Sequence, residues 1–366
     1  SGRFVAIAMG IALYLLARDS QPAADARKSL ASRFQFESVA IPELDGTPKR
    51  SIQAVNPSLR RIDGWISAVG AGIALVDLDG DGLANDICQS EPRTGQLIVQ
   101  PVPGTGARYT AFALDPGHGA YREGTYIPTG CTGADFNEDG RLDLLVNYWG
   151  RSPVIFLRMT NGTAVAPSSF EAIELMQERS IWYTSGSIVG DFDGDGHLDI
   201  FAGNYFQDGT ELFDADASSI AKMHNTKSRS FNGGGKHLFL WRKPPASEAG
   251  KVAWRRFDLT VNGGLEHSWT LAAGAADIDG DGLAEIYLAN DFGPDQLLHN
   301  RSQPGKPAFA AVRDDRKFRT PASFVLGQDS FKGMGVDFAD INNDGTLDIA
   351  VSNIADSFAL NESHFL

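Results

Sequence analysis

This chain is short of positive charge and cysteine, and it carries no catalytic signature. Lys and Arg number 32 against 46 Asp and Glu, a formal net charge of −14. Affinity for a nucleic-acid backbone comes from clustered Lys and Arg, so this balance argues against nucleic acid as a partner. With two cysteines, Cys88 and Cys131, the chain can make one disulfide or keep two small buried thiols. There is no Gly-x-Ser-x-Gly elbow, no His-Glu-x-x-His zinc helix and no P-loop; the GGGK at 233–236 lacks the phosphate-loop spacing and reads as a turn. The seven histidines are scattered. Of these, His197 is expected to face solvent, and His237 and His267 lie near a long inter-repeat segment. The apolar run at 4–17, FVAIAMGIALYLLA, stops at fourteen residues. As a helix it would span about 21 Å, short of the ~30 Å hydrocarbon core.

What the chain has in abundance is one acidic phrase, written five times. The copies are DLDGDGLAND (77–86), DFNEDGRLDL (135–144), DFDGDGHLDI (191–200), DIDGDGLAEI (277–286) and DINNDGTLDI (340–349). Oxygen-bearing side chains recur at positions 1, 3 and 5: Asp77, Asp79 and Asp81; Asp135, Asn137 and Asp139; Asp191, Asp193 and Asp195; Asp277, Asp279 and Asp281; Asp340, Asn342 and Asp344. Position 6 is always Gly, suited to a sharp bend with φ > 0. Position 7 would give its backbone carbonyl, which leaves its side chain free to vary among Leu83, Arg141, His197, Leu283 and Thr346. Position 9 would close the cage with Asn85, Asp143, Asp199, Glu285 and Asp348. In the first copy Asp86 is an equal alternative to Asn85.

An all-oxygen set of this kind suits Ca²⁺, which takes six to eight oxygens in a flexible cage. Carboxylates packed this closely repel one another unless a cation neutralises them. Five divalent ions would offset ten of the fourteen net negative charges. An EF-hand would need Glu at position 12 on a following helix. Position 12 is instead Cys88, Val146, Ala202, Leu288 and Val351, within β-like runs. Loops of this kind fill where Ca²⁺ is abundant, so an extracytoplasmic location is expected.

These loops, and the small-residue segments that lead into them (VGAGIALV at 69–76, TGCTGA at 129–134, SGSIVG at 185–190, AGAA at 273–276 and GMGVDFA at 333–339), resemble the FG-GAP or VCBS repeat family. Members of that family form the blades of Ca²⁺-loaded β-propellers such as the integrin α-subunit head. The wording at 335–349 is also similar to the cartilage acidic protein-like group. The resemblance covers roughly residues 60–355. It implies an all-β fold, a β-propeller of roughly five to seven blades holding about five Ca²⁺, but says little about activity.

The expected organisation is an N-terminal hydrophobic helix within 1–20 (an uncleaved membrane anchor through 4–17, or a retained signal segment), a linker at 21–33 and the propeller over 34–366. The alternating FQFESVAI at 34–41 is expected to be a strand that closes the ring. The long gap between the third and fourth loops predicts an insertion at about 206–270, with a short helix over 214–223 and a strand over 237–241. Cys88 and Cys131 fall on adjacent repeats. Tyr148, Trp149, Tyr205, Phe206 and Phe292 follow the loops, either as inter-blade packing or as a binding rim. Two functions stay open. One is a calcium-stabilised binding or scaffold module for a protein partner or glycan. The other is a polysaccharide lyase or hydrolase whose candidate cluster is Lys236, His237, Arg242 and His267.

Overall fold

The computed structural model describes residues 2–17, 24–159, 165–227, 229–248, 250–260, 265–317, 325–328 and 332–354. The chain divides into two compact units, Ser1–Pro42 and Glu43–Leu366.

The first unit holds helices α1 (Gly2–Ala17) and α2 (Ala24–Ala31). No helix among the described residues is long and apolar enough to cross a membrane. The expected strand at 34–41 is not formed: these residues have no regular structure, and Phe36 is 92% exposed. Alternation chooses which face a side chain would take, but a strand also needs a partner edge, and 34–41 has none among the described residues.

The second unit is all-β. Four antiparallel sheets each run in simple sequence order: β1 (Ile73–Val76), β2 (Asp86–Glu91), β3 (Gln96–Pro101) and β4 (Phe112–Leu114); β5 (Ile127–Ala134), β6 (Asp143–Trp149), β7 (Val154–Arg158) and β8 (Phe170–Glu174); β9 (Thr184–Gly190), β10 (Asp199–Asn204), β11 (Lys236–Arg242) and β12 (Ala253–Asp258); β13 (Trp269–Ala276), β14 (Glu285–Phe292), β15 (Gln296–Asn300) and β16 (Phe309–Val312). A fifth sheet has two strands, β17 (Gly333–Ala339) and β18 (Asp348–Asn353). No sheet among the described residues joins the first and fifth sets of strands. Repeated sheets were thus readable from the sequence; among the described residues, hydrogen-bonded strands do not close a ring.

The sheets pack in series, which explains their strand composition. Leu144 and Val146 face a core shared with Val76, Cys88 and Val99 of the first sheet, while Leu145 between them faces one shared with Ile200 and Phe239 of the third. Phe201 then points the other way, toward Ile286 and Leu288 of the fourth sheet, whose Tyr287 and Ala289 face Val351 of the fifth. A central strand buried on both faces reads as a continuous apolar run rather than an alternation. Small residues allow the approach. A Cβ at Gly186 would lie 2.9 Å from the Ala273 nitrogen, and one at Gly72 only 2.4 Å from the Thr129 carbonyl oxygen. Cys88 on β2 and Cys131 on β5 form a disulfide across the first interface, with Cα atoms 6.5 Å apart.

Two local expectations are corrected. Residues 214–223 form no helix: a turn at 215–216 and a bend at 219 sit in otherwise irregular chain. The Asp214 carboxylate accepts the Asp216 amide at 2.9 Å, the local bond by which Asp favours a turn over a helix. The span 206–270 is not one insertion: β11 and β12 within it complete the third sheet, which leaves 205–235 as the excursion.

Candidate metal centre

In every sheet the acidic phrase connects the first strand to the second, so all five turns occupy the same position in the repeat. Their register matches: Val76 pairs with Asp86, Ala134 with Asp143, Gly190 with Asp199, Ala276 with Glu285 and Ala339 with Asp348. The carboxylate that closes the first loop is therefore Asp86. Asn85 is an extra residue, its amide donating to the Asp81 carboxylate at 3.0 Å.

Each loop curls around its first Asp. The amide of the position-6 glycine donates to the position-1 carboxylate at 2.9, 2.8, 2.9, 2.9 and 2.9 Å, from Gly82 to Asp77, Gly140 to Asp135, Gly196 to Asp191, Gly282 to Asp277 and Gly345 to Asp340. Residue 5 donates to the same carboxylate at 3.0–3.2 Å. Position 7 donates to the residue-5 carboxylate at 2.9–3.0 Å, from Leu83, Arg141, His197, Leu283 and Thr346. These glycines have φ between +83° and +90°, where a side chain is strained. Position 4 is left-handed too, at Gly80, Glu138, Gly194, Gly280 and Asn343. Gly or Asn in four of five copies is the signal for it that a reading of the ligand positions alone overlooks.

The closing carboxylate holds the turn to its own sheet. One oxygen accepts the position-2 amide, from Leu78, Phe136, Phe192, Ile278 and Ile341, at 2.6–3.0 Å. In the three middle sheets the other oxygen accepts an amide of the third strand: Arg158 to Asp143 at 2.7 Å, Trp241 to Asp199 at 2.8 Å and Asn300 to Glu285 at 3.2 Å. Burial pushes Asp143 up to about 6 and Asp199 up to about 7, with the neighbouring loop carboxylates adding to the rise. Asp193, buried in the third loop, is raised for the same first reason.

Three observations indicate that these residues fit a hard divalent cation. The recurring side-chain donors are oxygens. One oxygen each of Asp191, Asp193 and Asp199 lie within 4.8 Å of one another, as do those of Asp277, Asp279 and Asp281 and those of Asp77, Asp79 and Asp81. In the second loop Asn137 Oδ1 is buried with no hydrogen-bond donor among the described residues, an acceptor a cation would satisfy. A further trio, Asp279, Glu285 and His299, brings in a nitrogen ligand.

The structure places the other side chains singled out in the sequence. His197 does not face solvent freely: its ring stacks on Trp241 at 3.6 Å between centroids, and it pairs with Glu138 of the preceding loop. Arg141 turns back on Asp139 of its own loop. Tyr148, Trp149, Tyr205 and Phe206 are buried, with Trp149 stacked on Tyr205 at 5.8 Å, so they form packing rather than an open rim. Lys236 is buried and donates to the carbonyls of Gly234 and Ser268, both at 2.8 Å. His237, on the opposite face of β11, bridges Asp258 at 2.7 Å and Asp208 at 3.1 Å. His267 is exposed, as is Arg242 at the end of β11. Adjacent strand residues point to opposite faces, so Lys236 and His237 do not converge.

The family model for the FG-GAP-like repeat matches residues 135–202 and 277–351, so the chain carries FG-GAP-like repeats. No curated protein matches the chain. Among solved structures, the rhamnogalacturonan lyase YesW aligns at 16% identity over 62% of this chain and 41% of its own, with a TM-score of 0.33. A rhamnogalacturonan lyase of Bacillus licheniformis aligns at 12% identity over 84% of this chain and 59% of its own, with a TM-score of 0.34. The chain thus spans less than two thirds of either enzyme, and likeness at that level carries no argument about activity.

Proposed function

We propose that this chain, a carrier of FG-GAP-like repeats, is a calcium-stabilised, propeller-type module that binds or scaffolds a protein partner or glycan outside the cytosol, held to a membrane through residues 4–17. The observation that carries the calcium part is the five-fold recurrence of one turn, with the same register and the same amide collar around its first Asp. A cation held there would cross-link the first and second strands of a sheet and offset carboxylates that burial disfavours. Such an ion binds the folded state alone and so stabilises it by mass action. Chelation by EDTA should lower Tm by at least about 5 °C, with recovery on adding back Ca²⁺. An identical melting curve with and without chelator removes this reading.

One feature favours the alternative, a polysaccharide lyase or hydrolase. A cleft of about 800 Å³ between the second and third sheets is lined by Arg242, Lys243, Trp254 and Arg256, with Glu174 and Glu178 beside them. Cationic side chains lining a cleft together with an aromatic ring suit an acidic sugar. Release of unsaturated or reducing ends from acidic polysaccharides, lost in Arg256→Ala, would move the assignment to this reading.

A further inference from the structure

We propose that Arg108 is the resident cation of the first acidic loop, which therefore closes without a divalent ion while its sister loops take one. The inference rests on the calcium reading of those sisters. The Arg108 side chain is 17% exposed. Its Nη2 lies 2.7 Å from Asp86 Oδ1 and donates to the Asn85 carbonyl at 2.6 Å. Its Nη1 pairs with Asp79 and lies 3.9 Å from Asp81. One guanidinium thus spans positions 3 and 5 and the closing carboxylate, the groups that would surround an ion.

The remaining donors of the loop are committed as well. Asp86 accepts four: the Leu78 amide at 2.6 Å, the Asp79 amide at 3.2 Å, the Tyr109 hydroxyl at 2.8 Å and Arg108. A carboxylate offers about four lone-pair sites, so Asp86 has none to spare. The Leu83 carbonyl, the backbone ligand of the motif, accepts the Asn85 amide at 2.8 Å. In the three middle sheets a third-strand amide reaches the closing carboxylate. Here the corresponding amide, that of Val102, goes to the Asn85 carbonyl at 2.8 Å, and Tyr109 and Arg108 take its place. The extra residue Asn85 makes both diversions. A second buried guanidinium, Arg158, stands close enough to feel the charges of Asp79 and Asp86. Asp77, Asp79 and Asp81 do bring oxygens within 4.8 Å of one another. With Asp79 and Asp86 held by Arg108, however, the loop has fewer free carboxylate oxygens than its sisters to offer toward the six to eight that Ca²⁺ takes.

Among the described residues, no guanidinium spans the closing carboxylate of the second, third or fourth loop. Arg141 of the second loop pairs with position 5 of its own loop. In the third loop Asp193 accepts the neutral Gly305 amide at 2.6 Å. In the fourth, His299 Nδ1 lies 3.1 Å from Glu285 and 3.6 Å from Asp279, the same two positions that Arg108 spans, but an imidazole is a cation only when protonated and can itself ligate a metal.

The test is ion counting by native mass spectrometry at saturating Ca²⁺. Asp81→Asn should leave the count of the wild-type protein unchanged, whereas Asp195→Asn, at the same position of the third loop, should lower it by one. Arg108→Ala should raise it by one, and Asp81→Asn placed on top should cancel that gain. Loss of an ion on Asp81→Asn with Arg108 intact overturns the proposal, even if Arg108→Ala does not fold. An unchanged count in folded Arg108→Ala also overturns it. A wild-type count of zero overturns the calcium reading itself and the proposal with it.

Discussion

The third and fifth sheets carry the same acidic turn in different surroundings. In the third, position 2 is Phe192, fully buried against the fourth sheet, and the closing Asp199 is fully buried as well. In the fifth, position 2 is Ile341, 45% exposed, and Asp348 is half-buried. The Asp199 carboxylate reaches both its loop and its third strand; Asp348 accepts the Ile341 amide, in a sheet of two strands. The position-2 residue of each loop packs toward the following sheet: Leu78 toward the second, Phe136 toward the third, Phe192 toward the fourth and Ile278 toward the fifth. No further sheet among the described residues covers Ile341. The turn folds from its own sequence, but its burial is conferred by the neighbouring sheet.

Substitutions at position 2 test this contrast most strongly. Phe192→Ala should cost about 3–5 kcal/mol, through lost burial plus the cavity left behind, and Ile341→Ala under about 1 kcal/mol. Equal losses in urea unfolding would mean that the next sheet does not set the loop's environment.

The first interface is fastened covalently, unlike the fourth-to-fifth contact. Cys88 and Cys131 are 43 residues apart, and replacing both with Ala should cost about 2–4 kcal/mol, chiefly by freeing the unfolded chain. If reduction and the double variant both leave the melting curve unchanged, the bridge is not what secures the first two sheets.

A smaller effect separates the third sheet from the fifth by pH. Burial lowers the Lys236 ammonium to about 7 from an ordinary 10.5. Between those values the unfolded chain binds more protons than the folded one, so this group makes stability rise with pH from 7 toward 10.5. The expected gain from pH 7 to pH 9 is about 2 kcal/mol at fixed Ca²⁺. Lys236→Met should flatten that rise whatever its effect on baseline stability; a slope identical to wild type would refute the buried-amine account.

Much of the fold was legible because the motif binds itself. Gly82, Gly140, Gly196, Gly282 and Gly345, and the Asp five residues before each, satisfy one another within ten residues, so the turn and the strand that follows could be read locally. The apolar runs at 144–146, 200–202 and 286–288 also gave the central strands, because both faces of each are buried. The 34–41 segment misled because its alternation is real but meets no partner edge among the described residues. The 214–223 segment misled because Asp214 turns the chain locally.

The candidate site divides the same way. Sequence alone determined where carboxylates cluster, since those positions lie within one turn and depend on spacing. It left Asn85 and Asp86 undecided, and it assigned Arg141 and His197 no side-chain role. Tertiary structure decided both matters. Strand register selects Asp86, and only packing brings Arg108, twenty-nine residues from Asp79, across the first loop. A short-range pattern fixes what one turn can hold; what reaches that turn from elsewhere depends on how sheets distant in the chain come to lie together.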